Sequence, residues 1–261
     1  MPADPASLAT RPSTGRPVVP VLGEIVNAYL LVGEDGLAAI DVGMPSVAER
    51  VVRAVADLGR PLSDLRLIAC THYHVDHVGG IKRLWEKIPG ARIFLPAGVE
   101  RNVRKGGPPL TFAPWRKKHR LFVGDRYLDH PPVRLADVLA VPWIGMPFLP
   151  GREPPFPVAG FLAEGDHLPG FPEWRVLATP GHSPDSLSFW HAASGSLLSG
   201  DTVLGARRGP MLNVYHVDDR ALAASGRKLA GLPVRNLYPG HGTVHEDNER
   251  VLEGIEATLI P

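Results

Sequence analysis

A chain of 261 residues with 44% hydrophobic content can bury a sizeable core, as one large α/β domain or two small ones. Its 28 basic and 27 acidic residues leave a formal charge of +1, which gives no global drive toward nucleic acid or an anionic membrane. The single cysteine, Cys70, excludes an internal disulfide, and the absence of a signal-type apolar stretch or a bilayer-length apolar run makes the cytoplasm the expected location.

Residues 1–17 carry four prolines and few large apolar groups, and read as a disordered leader. A single domain is expected over 18–261. Asn27 to Val32 and Leu37 to Ile40 are apolar runs separated by Gly33-Glu34-Asp35-Gly36, a hairpin signal. Ser46 to Leu58 follows with Val47, Val51, Val55 and Leu58 at helical spacing, Ser46 as N-cap and Gly59-Arg60-Pro61 as the stop. Leu65 to Ala69 reads as a buried strand, then a helix is expected from about Gly80 to Ile88, and a strand from Ala91 to Leu95. From about 98 to 160 the periodicity fails: 14 of the 28 prolines lie between Pro96 and Pro172, which reads as an insert, not a second domain. Seven Lys or Arg residues and no acid occupy Arg101 to Arg120, a solvated face or a lid toward an anionic substrate. Trp115, Trp143, Phe148 and Phe156 in the insert suit packing against the body, or the wall of an apolar pocket. Strands return at Trp174 to Ala178, Ser186 to His191 and Ser196 to Leu198, followed by a helix over Asp218 to Leu232 and a strand over Asn236 to Tyr238. Thr243 and Glu246 are spaced as a capping box for a last helix carrying Val251, Leu252, Ile255 and Leu259. Strands then helices, twice over, predict two sheet-and-helix halves packed sheet to sheet: a four-layer αββα sandwich.

Chemistry concentrates in Thr71 to Gly80, T-H-Y-H-V-D-H-V-G-G. In an extended segment side chains alternate, so His72 and His74 point the same way and can share one ion. Asp76 and His77 fall in the turn before the next helix and suit a second ion with nitrogen and oxygen donors. His182 in T-P-G-H-S-P-D, Asp201 in L-L-S-G-D-T and His241 in Y-P-G-H-G each follow an apolar run and are set off by glycine. The expected sets are His72, His74 and His182 on one ion and Asp76, His77 and His241 on the other, with Asp201 bridging, since a carboxylate lowers the repulsion of two dications. A hydroxide between the ions would be the nucleophile, with Asp76 orienting it. The other histidines, His216 among them, are read as surface or structural.

The ordered set Asp41, His72-x-His74-x-Asp76-His77, His182, Asp201 and His241 resembles the metallo-β-lactamase superfamily. The resemblance implies the αββα sandwich, a site at the edge between the sheets, and two Zn2+ as the usual cofactor, with Mn2+ or Fe2+ as options. It also implies a structural role for Asp41 beside the metal loop. With Asp76 and Asp201 present and no cysteine among the ligands, the chain looks like the glyoxalase II and lactonase branch. A standard glyoxalase II is disfavoured, because the short stretch after His241 holds no glutathione-binding helical domain.

The function implied is a binuclear metallo-hydrolase that cleaves a thioester, lactone or related ester, with a small-molecule substrate, an anionic one included. A phosphodiesterase or nuclease, and a mononuclear iron sulfur dioxygenase acting on a persulfide, are the alternatives. No aromatic-interleaved basic groove is visible, so no nucleic-acid partner is expected. Substrate selection is expected in the insert and in the loop Val203 to Val217.

Overall fold

The structure, a computed structural model, describes residues 16–23, 26–100, 103 and 154–258. The first sheet has six strands in sequence order: β1 (Val18–Leu22), β2 (Asn27–Val32), β3 (Leu37–Ile40), β4 (Leu65–Ala69), β5 (Arg92–Pro96) and β6 (Gly160–Leu162). β1 to β3 form an antiparallel meander, and β3 to β6 run parallel. The second sheet has the order β13-β10-β9-β8-β7, from β7 (His167–Leu168), β8 (Phe171–Ala178), β9 (Leu187–His191), β10 (Ser196–Gly200) and β13 (Asn236–Pro239). Between β10 and β13 lie a hairpin, β11 (Val203–Ala206) and β12 (Gly209–Leu212), and a helix. Among the described residues the α-helices are α1 (Pro45–Asp57), the one-turn α2 (Val75–Val78), α3 (Ile81–Trp85) and α4 (Asp219–Ala230).

Side-chain alternation builds the layers. On β2 and β3, Ala28, Leu30, Leu37 and Ala39 point to one face, where Val47, Val51 and Val55 of α1 and Ile81 and Leu84 of α3 cover them. Tyr29, Leu31, Ala38 and Ile40 point to the other face and meet Trp174, Val176, Phe189, Leu198 and Tyr238 of the second sheet. That sheet's outer residues, Leu177, Trp190, Leu197 and Leu237, pack on Leu222 and Leu229 of α4. The result is the αββα sandwich, with its central core between the sheets.

Several elements differ from the sequence expectation, each for a local reason. The α1 N-cap is Met44, not Ser46: Pro45 occupies the first turn, where its missing N–H is no loss, and no side chain caps the helix. Asp76 and His77 sit in α2 itself, not in a turn, and α3 is shorter than 80–88. The helix expected after Thr243 does not form. Its N–H groups are taken instead, with His245 and Leu237 exchanging backbone bonds of 2.7 and 3.0 Å, while Glu246 accepts from Tyr238 Oη at 2.8 Å. Val251, Leu252 and Ile255 still reach the α4 core, from turns and a 3-10 turn at Ile255–Thr258. Part of the expected loop Val203 to Val217 is the β11–β12 hairpin.

Arg16 and Pro17, assigned to the leader, are placed: Arg16 pairs with Glu246 and Asp247, and Pro17 O accepts from Val32 N at 2.9 Å. Most of the insert expected at about 98–160 lies outside the described residues, as do the basic stretch apart from Val103, Trp115, Trp143, Phe148 and Leu259. Phe156 is buried against the α1 side of the first sheet.

The central core makes one stability prediction. Phe189 is fully buried between the sheets. Phe189→Ala should cost about 3–5 kcal/mol, read as a lower midpoint in denaturant unfolding. A loss below about 1 kcal/mol would mean the interface collapses readily onto the cavity.

Candidate metal centre

Every residue of the expected cluster follows the C-terminal end of a strand. Asp41 follows β3, His72 to His77 follow β4, His182 follows β8, Asp201 follows β10 and His241 follows β13. These strand ends share one edge of the sandwich, so the two sheets deliver seven donors to one place.

The first group is a trio of imidazoles. His74 Nδ1 lies 2.9 Å from His72 Nε2 and 2.9 Å from His182 Nε2. The His182 ring donates from Nδ1 to the Tyr215 carbonyl, which leaves its Nε2 as a lone pair. One proton on His74 Nδ1 cannot serve both neighbours in line, whereas a cation would satisfy all three nitrogens at once. Burial holds His72 and His74 below their ordinary range, helped by the neighbouring histidines at His72, and it lowers His182 to about 4. The trio is therefore neutral at pH 7, the state a metal requires.

The second group is Asp76, His77 and His241, whose donor atoms lie within 4.8 Å of one another. Asp201 sits between the groups: its Oδ2 is 3.4 Å from His182 Nε2 and 3.3 Å from His241 Nε2, and its Oδ1 is 3.4 Å from His77 Nε2. His241 Nε2 lies 3.4 Å from Asp76 Oδ2. His77 Nε2 and Asp201 Oδ1 are buried without an aligned hydrogen bond among the described residues, a cost that a bound cation would remove. Burial pulls the His77 and His241 rings down, but the carboxylates outweigh it. Asp201 and Asp41 raise His77 well above its ordinary range, and Asp201 with Asp76 lifts His241 to about 10. In return the Asp201 and Asp76 carboxyls, which burial alone would raise, are held below the usual carboxylate range by those histidines.

Support comes from the flanks. Asp41 adopts φ 56°, a left-handed conformation that costs an ordinary residue on the order of 1–2 kcal/mol. Its Oδ1 accepts from Thr71 N at 2.7 Å and its Oδ2 from Thr71 Oγ1 at 2.8 Å, and Oδ2 lies 3.1 Å from His77 Nδ1. Asn27 on β2 donates from Nδ2 to Pro239 O at 3.1 Å and Gly242 O at 2.9 Å, which fixes the loop carrying His241. Glycine is required at two loop positions. A Cβ on Gly181, at φ 140°, would come within 2.5 Å of the Leu222 backbone, and one on Gly240 would come within 2.4 Å of Asp201 Oδ1. His216, read from sequence as surface or structural, is buried and bonded to Asn213 O and Asp219. Its loop presents the Tyr215 carbonyl to His182. Neither that carbonyl nor Asn27 carries a sequence signal, because both act through contacts distant along the chain.

The cluster can hold divalent cations with nitrogen and oxygen donors, and its two more open members, His74 and Asp76, define an approach side. The family model of the metallo-beta-lactamase superfamily matches residues 21–241. The Probable metallo-hydrolase YflN of Bacillus subtilis is 25% identical over 249 residues, covering 84% of this chain and 81% of that protein. A hydroxyacylglutathione hydrolase of Rhodospirillum rubrum is 27% identical over 199 residues, covering 76% of this chain and 55% of the relative. Other curated relatives are also longer, and the chain spans 61% of one of them. Among solved structures, TTHA1623 in a di-iron-bound form superposes with a TM-score of 0.56 at 28% identity, covering 92% of this chain and 96% of that one. The matched span contains both sheets apart from the start of β1, with all seven clustered side chains, and on that ground the chain belongs to the metallo-β-lactamase superfamily.

Proposed function

We propose that the chain is a binuclear metal-dependent hydrolase that cleaves a thioester, lactone or related ester. The observation that carries this reading is the position of Asp201, with one carboxylate within 3.4 Å of histidines from both groups. His72, His74 and His182 would hold one ion, and Asp76, His77 and His241 the other, with Asp201 joining them. Bound divalent ions supply polarisation of an acyl carbonyl and lower the pKa of a coordinated water to about 7. The protein's part is to hold the donors and to orient the water. Asp76, with 30% of its side chain exposed, is the one carboxylate of the centre open to solvent, and as an ionised acceptor it can orient the attacking water by taking its hydrogen bond. The relative named for hydroxyacylglutathione, a thioester, supports the substrate class, and the di-iron form of TTHA1623 supports two ions. Zinc, manganese and iron all suit these donors.

The direct test is metal content followed by a substrate panel. Purified protein should carry about two divalent ions per chain and hydrolyse a thioester or lactone, and chelation should abolish the activity. His74→Ala should lower turnover by at least about 100-fold. One iron per chain with no hydrolysis, or activity confined to bis-aryl phosphodiesters, would overturn the reading.

Without metal, the histidines set the pH dependence of stability. His77 and His241 have raised folded values, so their contribution is complete below the unfolded value of about 6.5 and is lost as pH rises through the folded values, about 10 for His241. The three lowered histidines act oppositely and destabilise the fold as pH falls below about 6.5. The melting temperature of chelated protein should therefore peak near pH 6.5, and metal loading should flatten the alkaline side. A midpoint that climbs from pH 7 to 9 without metal would contradict this balance.

Gly240 offers a steric probe. Gly240→Ala puts a methyl group against Asp201 Oδ1 and against His77 Cε1, 2.8 Å away. Metal content should fall below two ions with native circular dichroism retained, and full occupancy would show that Asp201 can move aside.

A further inference from the structure

The H-x-H segment can present two rings to one ion only while the peptide of Tyr73, between them, is held in place. The β4 ladder stops at Ala69, so beyond it the segment depends on other partners. Thr71 is held by Asp41 and by Leu187 N, which donates to Thr71 O at 2.7 Å. The next fixed point is Tyr73 N–H, which donates to Asp185 Oδ2 at 2.8 Å. Both residues are buried, Tyr73 at 4% and Asp185 at 3% exposure, and they belong to opposite halves of the sandwich.

We propose that Asp185 is a positioning residue for the metal centre, its carboxylate fixing through Tyr73 N–H the alignment of His72 and His74 toward their ion. This rests on the metal assignment made above. Three features single out Asp185. Tyr73 is flanked on both sides by ligand residues, so a rotation of its peptide moves one donor against the other. Asp185 lies three residues after His182, so the same connection between β8 and β9 carries the third imidazole and the brace for the first two. The backbone also closes over it: a Cβ on Gly98 would lie 2.8 Å from Asp185 Cβ and 2.9 Å from its Cα, so the carboxylate is packed in place. A bond from N–H to an ionised carboxylate is stronger than one to a neutral acceptor, and the acceptor is what alignment requires. Burial raises the Asp185 carboxyl, and the Tyr73 hydrogen bond opposes part of that rise.

The test compares Asp185→Ala, which removes the acceptor, with Asp185→Asn, which keeps one of the same reach. Metal affinities are measured by chelator competition, and ligand geometry by the visible spectrum of the cobalt-substituted protein. The alanine variant should bind one of the two ions at least about 10-fold more weakly, with the other changed less than about threefold and with an altered cobalt band. The asparagine variant should restore both. If the alanine variant does not fold by circular dichroism, Asp185→Ser, whose hydroxyl is too short to reach Tyr73 N, replaces it with the same expectation. Wild-type affinities and cobalt spectrum in the variant lacking the acceptor would overturn the proposal. So would an asparagine variant as impaired as the alanine one, or an equal loss at both ions, the mark of general destabilisation. A wild-type chain that bound no metal would overturn the proposed function itself, an outcome distinct from two ions held alike by all variants.

Discussion

The structure depends on one constraint: nitrogen lone pairs and carboxylates that repel one another must be held together out of water. Five of the seven donors, His72, His77, His182, Asp201 and His241, belong to buried residues. In a medium of low dielectric such a cluster is unfavourable unless protons or cations balance it. In the metal-free protein the balance is protonic, with His77 and His241 charged against Asp76 and Asp201. The trio His72, His74 and His182 stays neutral. Divalent ions supply the same balance to both groups, which is why a site of this composition reads as a cation site and not as a set of core histidines.

Holding the cluster requires that each half of the sandwich brace the other. The first half fixes the His241 loop: Asn27 donates to Pro239 O and Gly242 O, Asn27 N donates to Gly240 O at 2.7 Å, and Tyr29 Oη donates to Pro239 O at 2.5 Å. The second half fixes the H-x-H segment through Leu187 N on Thr71 O and Asp185 on Tyr73 N. Asp41 bears a left-handed φ so that one carboxylate can serve Thr71 twice and stand beside His77. Neither sheet alone presents a complete set of donors, so packing the two sheets is the step that assembles the centre.

This explains what could be read from the sequence. The clustering of these seven side chains was legible because metal chemistry limits the usable side chains and because each stands beside a strand end or a glycine. The sandwich was legible because strands followed by helices recur twice along the chain, and the structure divides the residues of β2, β3, β9 and β10 between separate cores accordingly. The braces were not legible. Asp185 lies inside a quoted motif, yet its partner is 112 residues away, and nothing in T-P-G-H-S-P-D names Tyr73. The expected C-terminal helix failed for a similar reason. Its capping box was real as a pattern, but Leu237 and Tyr238 compete for the same backbone and the same Glu246, and tertiary pairing outweighs local preference. The β11–β12 hairpin was read as loop because its tip, Arg207-Arg208, follows a run too short to show alternation.

The same braces connect the centre to the segments around it. Gly205 N in β11 donates to His241 O at 2.9 Å, and Thr243 N returns a bond to Gly205 O at 2.8 Å, so the hairpin is continuous with one ligand loop. The turn at Ala97–Val99, where the long crossover from β5 begins, closes over Asp185 and so touches the residue that holds Tyr73. Gly98 and Gly205 are both closed to side chains, the latter because a Cβ would lie 2.1 Å from Thr243 O. Close approaches of this kind leave no soft layer between the segments that flank the site and the loops that carry the donors. A sequence change that shifts either segment is therefore transmitted through the backbone to the loops that carry the clustered histidines and Asp201.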